Sequence, residues 1–149
     1  MSSPSIPYGC QTLSDVDVQA VTDALKSDWI TQGPRVEAFE RELATFAGAR
    51  YAVAVTSGTA ALHLAYLAAG ISKGDRVLTS PNTFVATANA AVYCGGVPEF
   101  VDVDERTYNL DADCLQSRLD SGPPPKAIIP VHLYGHVAYM EEIIELAKK

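Results

Sequence analysis

Basic residues are scarce in this 149-residue chain: 11 lysines and arginines stand against 18 aspartates and glutamates, a net charge of −7. That balance, with a pI near 4.8, argues against nucleic acid or an anionic membrane as partner. Long apolar runs are missing too, and none approaches the roughly 18 residues that a bilayer crossing needs. The opening MSSPSIPYG has neither the basic start nor the apolar stretch of a signal peptide. Cysteine is rare. Cys10, Cys94 and Cys114 lie far apart, odd in number and without metal-type spacing, which points to reduced thiols in a cytoplasmic protein and to no metal site. There is no G-x-G-x-x-G fingerprint, no G-K-[ST] phosphate loop and no internal repeat. The one biased segment, Pro123-Pro124-Pro125, reads as a rigid surface turn.

What is present is enough apolar residue, 48%, for one sizeable core. Ser14 caps a predicted helix with Asp15 and Asp17 at its positive end and Val18, Val21 and Leu25 on one face. A second helix follows Gly33-Pro34, with Val36, Phe39, Leu43 and Phe46 as its inner stripe and Gly48 as a left-handed stop. Strands are expected at 51–56, 76–79, 98–104 and 126–135. Helices are expected at about 59–69 and 83–96, after a cap at Asp111, and from about Ala138 with Met140, Ile143, Ile144 and Ala147 inward. Strand–helix alternation with apolar, non-alternating strands predicts an α/β fold, a parallel sheet covered by helices on both faces. The helices ahead of the sheet, residues 1–50, read as an N-terminal helical arm, and residues 51–149 as the first part of the α/β domain. The final helix is uncapped, and no strand follows it to use its cover. The chain therefore reads as a truncated portion of a longer protein.

One junction asks for more. In YAVAVTSGTAALHLAYLAAG a β-branched run gives way to a helix-forming run through Ser57-Gly58-Thr59. A strand entering a helix through small residues gathers free N–H groups and the positive end of a dipole at one spot, which suits a phosphate. Plain capping is the simpler reading of the turn alone. The next strand-to-helix turn, SPNTFVATANAA, puts Phe84 near the same carboxyl edge, where it is either core or a flat wall beside a ring.

The ordered set of IPYG, SDWITQGP, AVTSGTAALHLA, SPNTFVATANAA, PEFVDVD, YNLD and PVHLYGH resembles the sugar aminotransferases of the DegT/DnrJ/EryC1/StrS type. These are fold-type I enzymes dependent on pyridoxal 5′-phosphate. The similarity runs from Ile6 to Lys149. The IPYG opening and LKSDWITQGP are most similar to the branch that aminates C4 of UDP-linked 4-keto-6-deoxy-N-acetyl hexoses on the pseudaminic acid route. The resemblance implies that Ser57, Gly58, Thr59 and Ala60 hold the cofactor phosphate, with the amides of Thr59 and Ala60 as donors. It implies that Phe84 stacks on the pyridine ring. Tyr8, Asp28, Trp29, Ile30 and Thr31 would border the nucleotide-sugar pocket, with Gly58 close by.

The same resemblance implies a reaction in two stages, glutamate giving its amino group to the cofactor and the cofactor giving it to the 4-keto sugar, in a homodimer. The chemistry needs a lysine joined to the cofactor and a carboxylate at the pyridine nitrogen. None of Lys26, Lys73, Lys126, Lys148 or Lys149 stands in the lysine's motif, so no catalytic residue is expected in this chain, and the fragment alone is expected to be inactive. His132 in PVHLYG reads as a satisfied core histidine, with a role in positioning the next turn as the alternative. GHVAYME departs from the family pattern, and nothing is carried over there. Two other readings stand beside this one: a sister sugar dehydratase with histidine in place of the lysine, and a non-catalytic phosphate-binding α/β module.

Overall fold

The computed structural model describes residues 9–148. The chain divides into two compact units, Met1–Ala54 and Val55–Lys149.

In the first unit, helix α1 spans Asp15–Leu25 and helix α2 spans Pro34–Ala47. The start of α1 is a full capping box. Ser14 Oγ accepts from the Asp17 amide while the Asp17 carboxylate takes the Ser14 amide at 2.8 Å. Those bonds from Ser14 hold the Asp17 carboxyl below its ordinary range. Proline opens α2, and Gly48 closes it at φ +62. The expected inner stripes are not covered by the described residues. Val18, Val21 and Leu25 of α1, and Val36, Phe39, Leu43 and Phe46 of α2, are exposed, and only Ala44 is buried in either helix. Amphipathic spacing fixes which face is apolar, and the neighbour that covers it is a separate matter.

The second unit carries the sheet. Helix α3 (Gly58–Ala68) leads to strand β1 (Arg76–Thr79), helix α4 (Ala86–Tyr93), strand β2 (Val97–Phe100), helix α5 (Ala112–Asp120), strand β3 (Ala127–Ile129), a single 3-10 turn at Leu133–Gly135 and helix α6 (Met140–Ala147). The strands are parallel in the order β2-β1-β3, with Arg76 opposite Val97 and Thr79 opposite both Phe100 and Ile129. Successive β1 residues face opposite ways. Val77 joins Tyr66, Ile71, Ala90 and Ala91 in one cluster, and Leu78 joins Val101, Leu110, Leu115, Ala138 and Ile143 in another. The parallel sheet covered on both faces is therefore present. Tyr66 ties α3 to α4 by donating its hydroxyl to the Thr87 carbonyl at 2.8 Å. Burial pushes its pKa up to about 12, so the hydroxyl remains a donor.

Several elements differ from expectation. Residues 51–56 form no strand. A β-branched run needs a ladder partner, and among the described residues it has none. The Ala54 amide donates instead to the Glu40 carboxylate at 2.7 Å. Strands β2 and β3 are shorter than predicted because each is paired only alongside β1, itself four residues long. Helix α4 begins at Ala86, so Thr83, Phe84 and Val85 precede it. In α6, Ile144 and Ala147 are exposed, and Leu146 packs inward with Ile143 and Met140.

A charged clamp crosses the sheet at its amino end. Arg76 makes a two-pronged contact with Glu99 of β2, at 2.6 and 2.8 Å, and also donates to the Pro123 carbonyl ahead of β3. Arg118 of α5 adds a further bond to the same carboxylate. Hydrogen bonds from Arg76, then Arg118, hold the Glu99 pKa down to about 2 against the opposing effect of burial. A carboxyl depressed on folding stabilises the fold above its unfolded value near 4.5, and that contribution is lost as pH falls through the folded value. The parent chain should therefore lose thermal stability between about pH 4.5 and 2. Glu99→Gln should melt lower at pH 7 and fall less steeply across that window. Parallel melting curves for the two proteins through the window would remove Glu99 as the source.

Candidate functional site

Four residues assigned to one anion site, Ser57, Gly58, Thr59 and Ala60, come together at the start of α3. Ser57 is the cap. Its hydroxyl accepts from the Ala60 amide at 3.2 Å, and its carbonyl takes the Ala61 amide at 3.0 Å. The Ala60 amide is thus engaged by the cap. The amides of Gly58 and Thr59 have no acceptor among the described residues, so two donors at the positive end of an eleven-residue helix remain open. Gly58 is instructive. It does not adopt a left-handed conformation, and a Cβ built there meets nothing within 4 Å. Neither backbone nor packing requires glycine at this position, and the space beside its Cα is open.

Phe84 stands ahead of α4, where the Thr87 amide donates to its carbonyl at 3.0 Å. Its side chain is 75% exposed, so it is not core. The turn that carries it is fixed from below. Ser80 is fully buried and accepts from the Asn82 amide at 3.1 Å, and the hydroxyls of Thr83 and Thr87 meet at 2.9 Å.

Asp28, Trp29, Ile30 and Thr31 belong to the first unit, in the loop between α1 and α2. All four are exposed, Trp29 at 61%. The loop is nevertheless ordered by its own chemistry. Ser27 Oγ donates to the Ala24 carbonyl at 2.7 Å and accepts from the Trp29 amide at 3.3 Å. Gly33 sits at φ +81, and a Cβ there would lie 2.9 Å from Trp29 Cβ, so glycine both makes the turn and leaves room for the indole. Tyr8 lies outside the described residues.

A second ordered turn follows β3, and its main fastener is Asn109, which the sequence does not single out. Asn109 is 1% exposed. Its amide nitrogen donates to the His136 carbonyl at 3.0 Å and its amide oxygen accepts from the Leu133 N–H at 2.9 Å. The only hint in the sequence is an amide residue between Tyr108 and Leu110 in YNLD. His132 is exposed and not a core histidine as expected. Its Nδ1 accepts from the Ala138 amide at 3.1 Å, so it organises the chain that follows. Between them Tyr134 adopts φ +52 and is 88% exposed.

None of the described lysines lies within the turns at 57–60, 80–85 or 130–138. Lys26 caps the end of α1, Lys148 pairs with Glu145 at the end of α6, and Lys73 and Lys126 precede the amino ends of β1 and β3. Among the described residues there is no metal-type cluster of His, Cys, Asp and Glu, and no helix long and apolar enough to cross a membrane.

The chain is 44% identical over 143 residues to the spore coat polysaccharide biosynthesis protein SpsC of Bacillus subtilis, covering 96% of this chain and 36% of that protein. It is 40% identical to a GDP-perosamine synthase of Caulobacter vibrioides, over 98% of this chain and 39% of the relative. Among solved structures, an aminotransferase from Psychrobacter cryohalolentis superposes with a TM-score of 0.85 at 34% identity, over 97% of this chain and 36% of that one. A 3-amino-5-hydroxybenzoic acid synthase gives 0.85 at 35% identity, over 99% and 38%. The chain thus spans little more than a third of the length of the relatives it matches. These likenesses reach across both units, and the sequence pattern of residues 11–149 matches throughout: the chain belongs to the DegT/DnrJ/EryC1/StrS aminotransferase family.

Proposed function

We propose that this chain is the N-terminal part of a pyridoxal 5′-phosphate-dependent sugar aminotransferase. Residues 1–50 form its helical arm and residues 51–149 the first part of its large domain. The full-length enzyme moves an amino group from glutamate to C4 of a UDP-linked 4-keto-6-deoxy-N-acetyl hexose, on a route of the pseudaminic acid type. It works in the cytoplasm as a homodimer. The observation that carries this reading is the start of α3, with two amides lacking acceptors and a glycine that the fold itself does not need.

When bound, pyridoxal phosphate supplies the carbonyl that takes up and passes on the amino group. The chain's own residues bind and orient. Gly58 and Thr59 donate to the phosphate, Ala60 shares its amide between phosphate and Ser57, and the α3 dipole favours the negative charge. Phe84 offers an exposed ring to the pyridine. Asp28, Trp29, Ile30 and Thr31, with Tyr8, border the nucleotide sugar. The catalytic lysine is supplied by residues outside this chain, and the chain alone does not turn over.

Two substitutions at the cofactor side separate fold from binding. Gly58→Ala should stabilise the full-length protein by about 0.4–1 kcal/mol through the unfolded chain, because the added methyl meets nothing. The methyl should push the phosphate away from the Gly58 and Thr59 amides and weaken pyridoxal phosphate by about 1.5–3 kcal/mol, the value of one lost hydrogen bond to a charged group. Phe84→Ala should loosen the cofactor by about 0.5–1.5 kcal/mol with little change in melting temperature. Equilibrium dialysis beside thermal melting reads both. Unchanged cofactor affinity in Gly58→Ala would place the phosphate elsewhere.

At the substrate side, Trp29→Ala and Thr31→Ala should raise the Michaelis constant for the UDP sugar more than they slow the glutamate half-reaction. The same assay run with a GDP-linked 4-keto-6-deoxy hexose tests the nucleotide, because GDP-perosamine synthases are among the relatives. Preference for the GDP sugar would overturn the UDP assignment while leaving the aminotransferase intact. Equal damage to both half-reactions would make 28–31 a structural loop.

A further inference from the structure

Tyr134 is the one aromatic in the second unit that combines a left-handed backbone with an almost wholly exposed ring held from beneath. Tyr108 shares the positive φ, at +58, but is less exposed and lies in the hairpin that supplies Asn109. A bulky residue at φ +52 is disfavoured and persists only where its surroundings fix it. Here they do. Asn109, buried, binds the Leu133 N–H and the His136 carbonyl, bracketing Tyr134, and His132 Nδ1 accepts from the Ala138 amide just beyond. Nothing in the core gains from this arrangement, because the ring it presents is 88% exposed.

The position of the turn gives it a purpose. Thr79 and Ile129 are paired in the parallel register, and the Thr79 hydroxyl donates to the Ile129 carbonyl at 2.8 Å. The turns bearing Phe84 and Tyr134 therefore leave adjacent strands at the carboxyl edge, each aromatic five residues past its paired strand end. That edge is where parallel α/β sheets bind ligands. The turn itself, 130–138, carries no lysine or arginine, and His132 Nδ1 is engaged by the Ala138 amide. A neutral hexose ring would meet an aromatic face and a phenol hydroxyl there.

We propose that Tyr134 contacts the hexose ring of the acceptor substrate and that Asn109 is its positioning residue, setting specificity at the sugar. This rests on the aminotransferase reading above. The test uses the full-length holoenzyme with glutamate and the UDP-linked 4-keto-6-deoxy-N-acetyl hexose. Tyr134→Gly relieves the left-handed backbone while deleting the ring, so it should melt at or above the parent while the sugar's KM rises about tenfold, the upper end for an aromatic contact. Tyr134→Phe, which keeps the ring, should stay within about threefold of the parent. Asn109→Ser should raise the sugar KM in the same way, and Tyr134→Gly keeps the test decisive if Asn109→Ser fails to fold. An unchanged sugar KM in Tyr134→Gly overturns the proposal, as does a lower melting temperature with both half-reactions equally impaired. A parent enzyme that fails to aminate any nucleotide sugar from glutamate removes the proposed function itself, and this inference with it.

Discussion

Each residue of β1 is committed to a different neighbour, and the second unit is organised around those four commitments. Arg76 grips Glu99 of β2 and the Pro123 carbonyl, Val77 and Leu78 fill the two opposite cores, and Thr79 reaches across to Ile129 of β3. A central strand of four residues has little backbone ladder to give, so side chains at its two ends supply the registration. The charged end and the hydroxyl end do different work. Arg76 closes the amino edge, where a partly buried ion pair is matched by two partners on one carboxylate. Thr79 aligns the carboxyl edge, and the turns leaving it inherit that alignment.

At the carboxyl edge the structural groups are polar and lie beneath the turns. The turns at 80–85 and 130–138 carry exposed aromatics on buried polar supports, Ser80 and Thr87 beneath one and Asn109 beneath the other. A buried polar side chain is stabilising only when its donors and acceptors are met, and none among the described residues is left unmet. These supports therefore fix loop geometry without enlarging the core.

Much of this was legible in the sequence because the cues were local. Ser14, Asp111 and Ser57 cap the helices they were expected to cap, Gly48 stops α2 in the left-handed region, and 76–79 is the strand its pattern predicts. The failures are non-local. A valine-rich run at 51–56 states a willingness to be a strand, and pairing needs another chain segment. The stripes of α1 and α2 state which face is apolar and not what meets it. Burial tendencies favour a core histidine at His132, and the alternative, positioning the next turn, holds instead: its imidazole serves a backbone amide six residues away. Asn109 was silent because its partners lie 24 and 27 residues off.

The same distinction explains why a family is easier to read here than a substrate. On the proposed function the phosphate is held by backbone amides and a helix dipole, which any small-residue helix start supplies and which a sequence displays as Ser-Gly-Thr. On the same proposal substrate choice falls to side chains on loops, Trp29 beside Gly33 in the first unit and Tyr134, in the turn fastened by Asn109, in the second. Their positions depend on positive-φ turns and distant hydrogen bonds. A substitution that leaves every cap and strand in place can still re-aim such a ring. On that proposal cofactor class follows from local pattern, whereas sugar identity follows from how a few exposed aromatics are held.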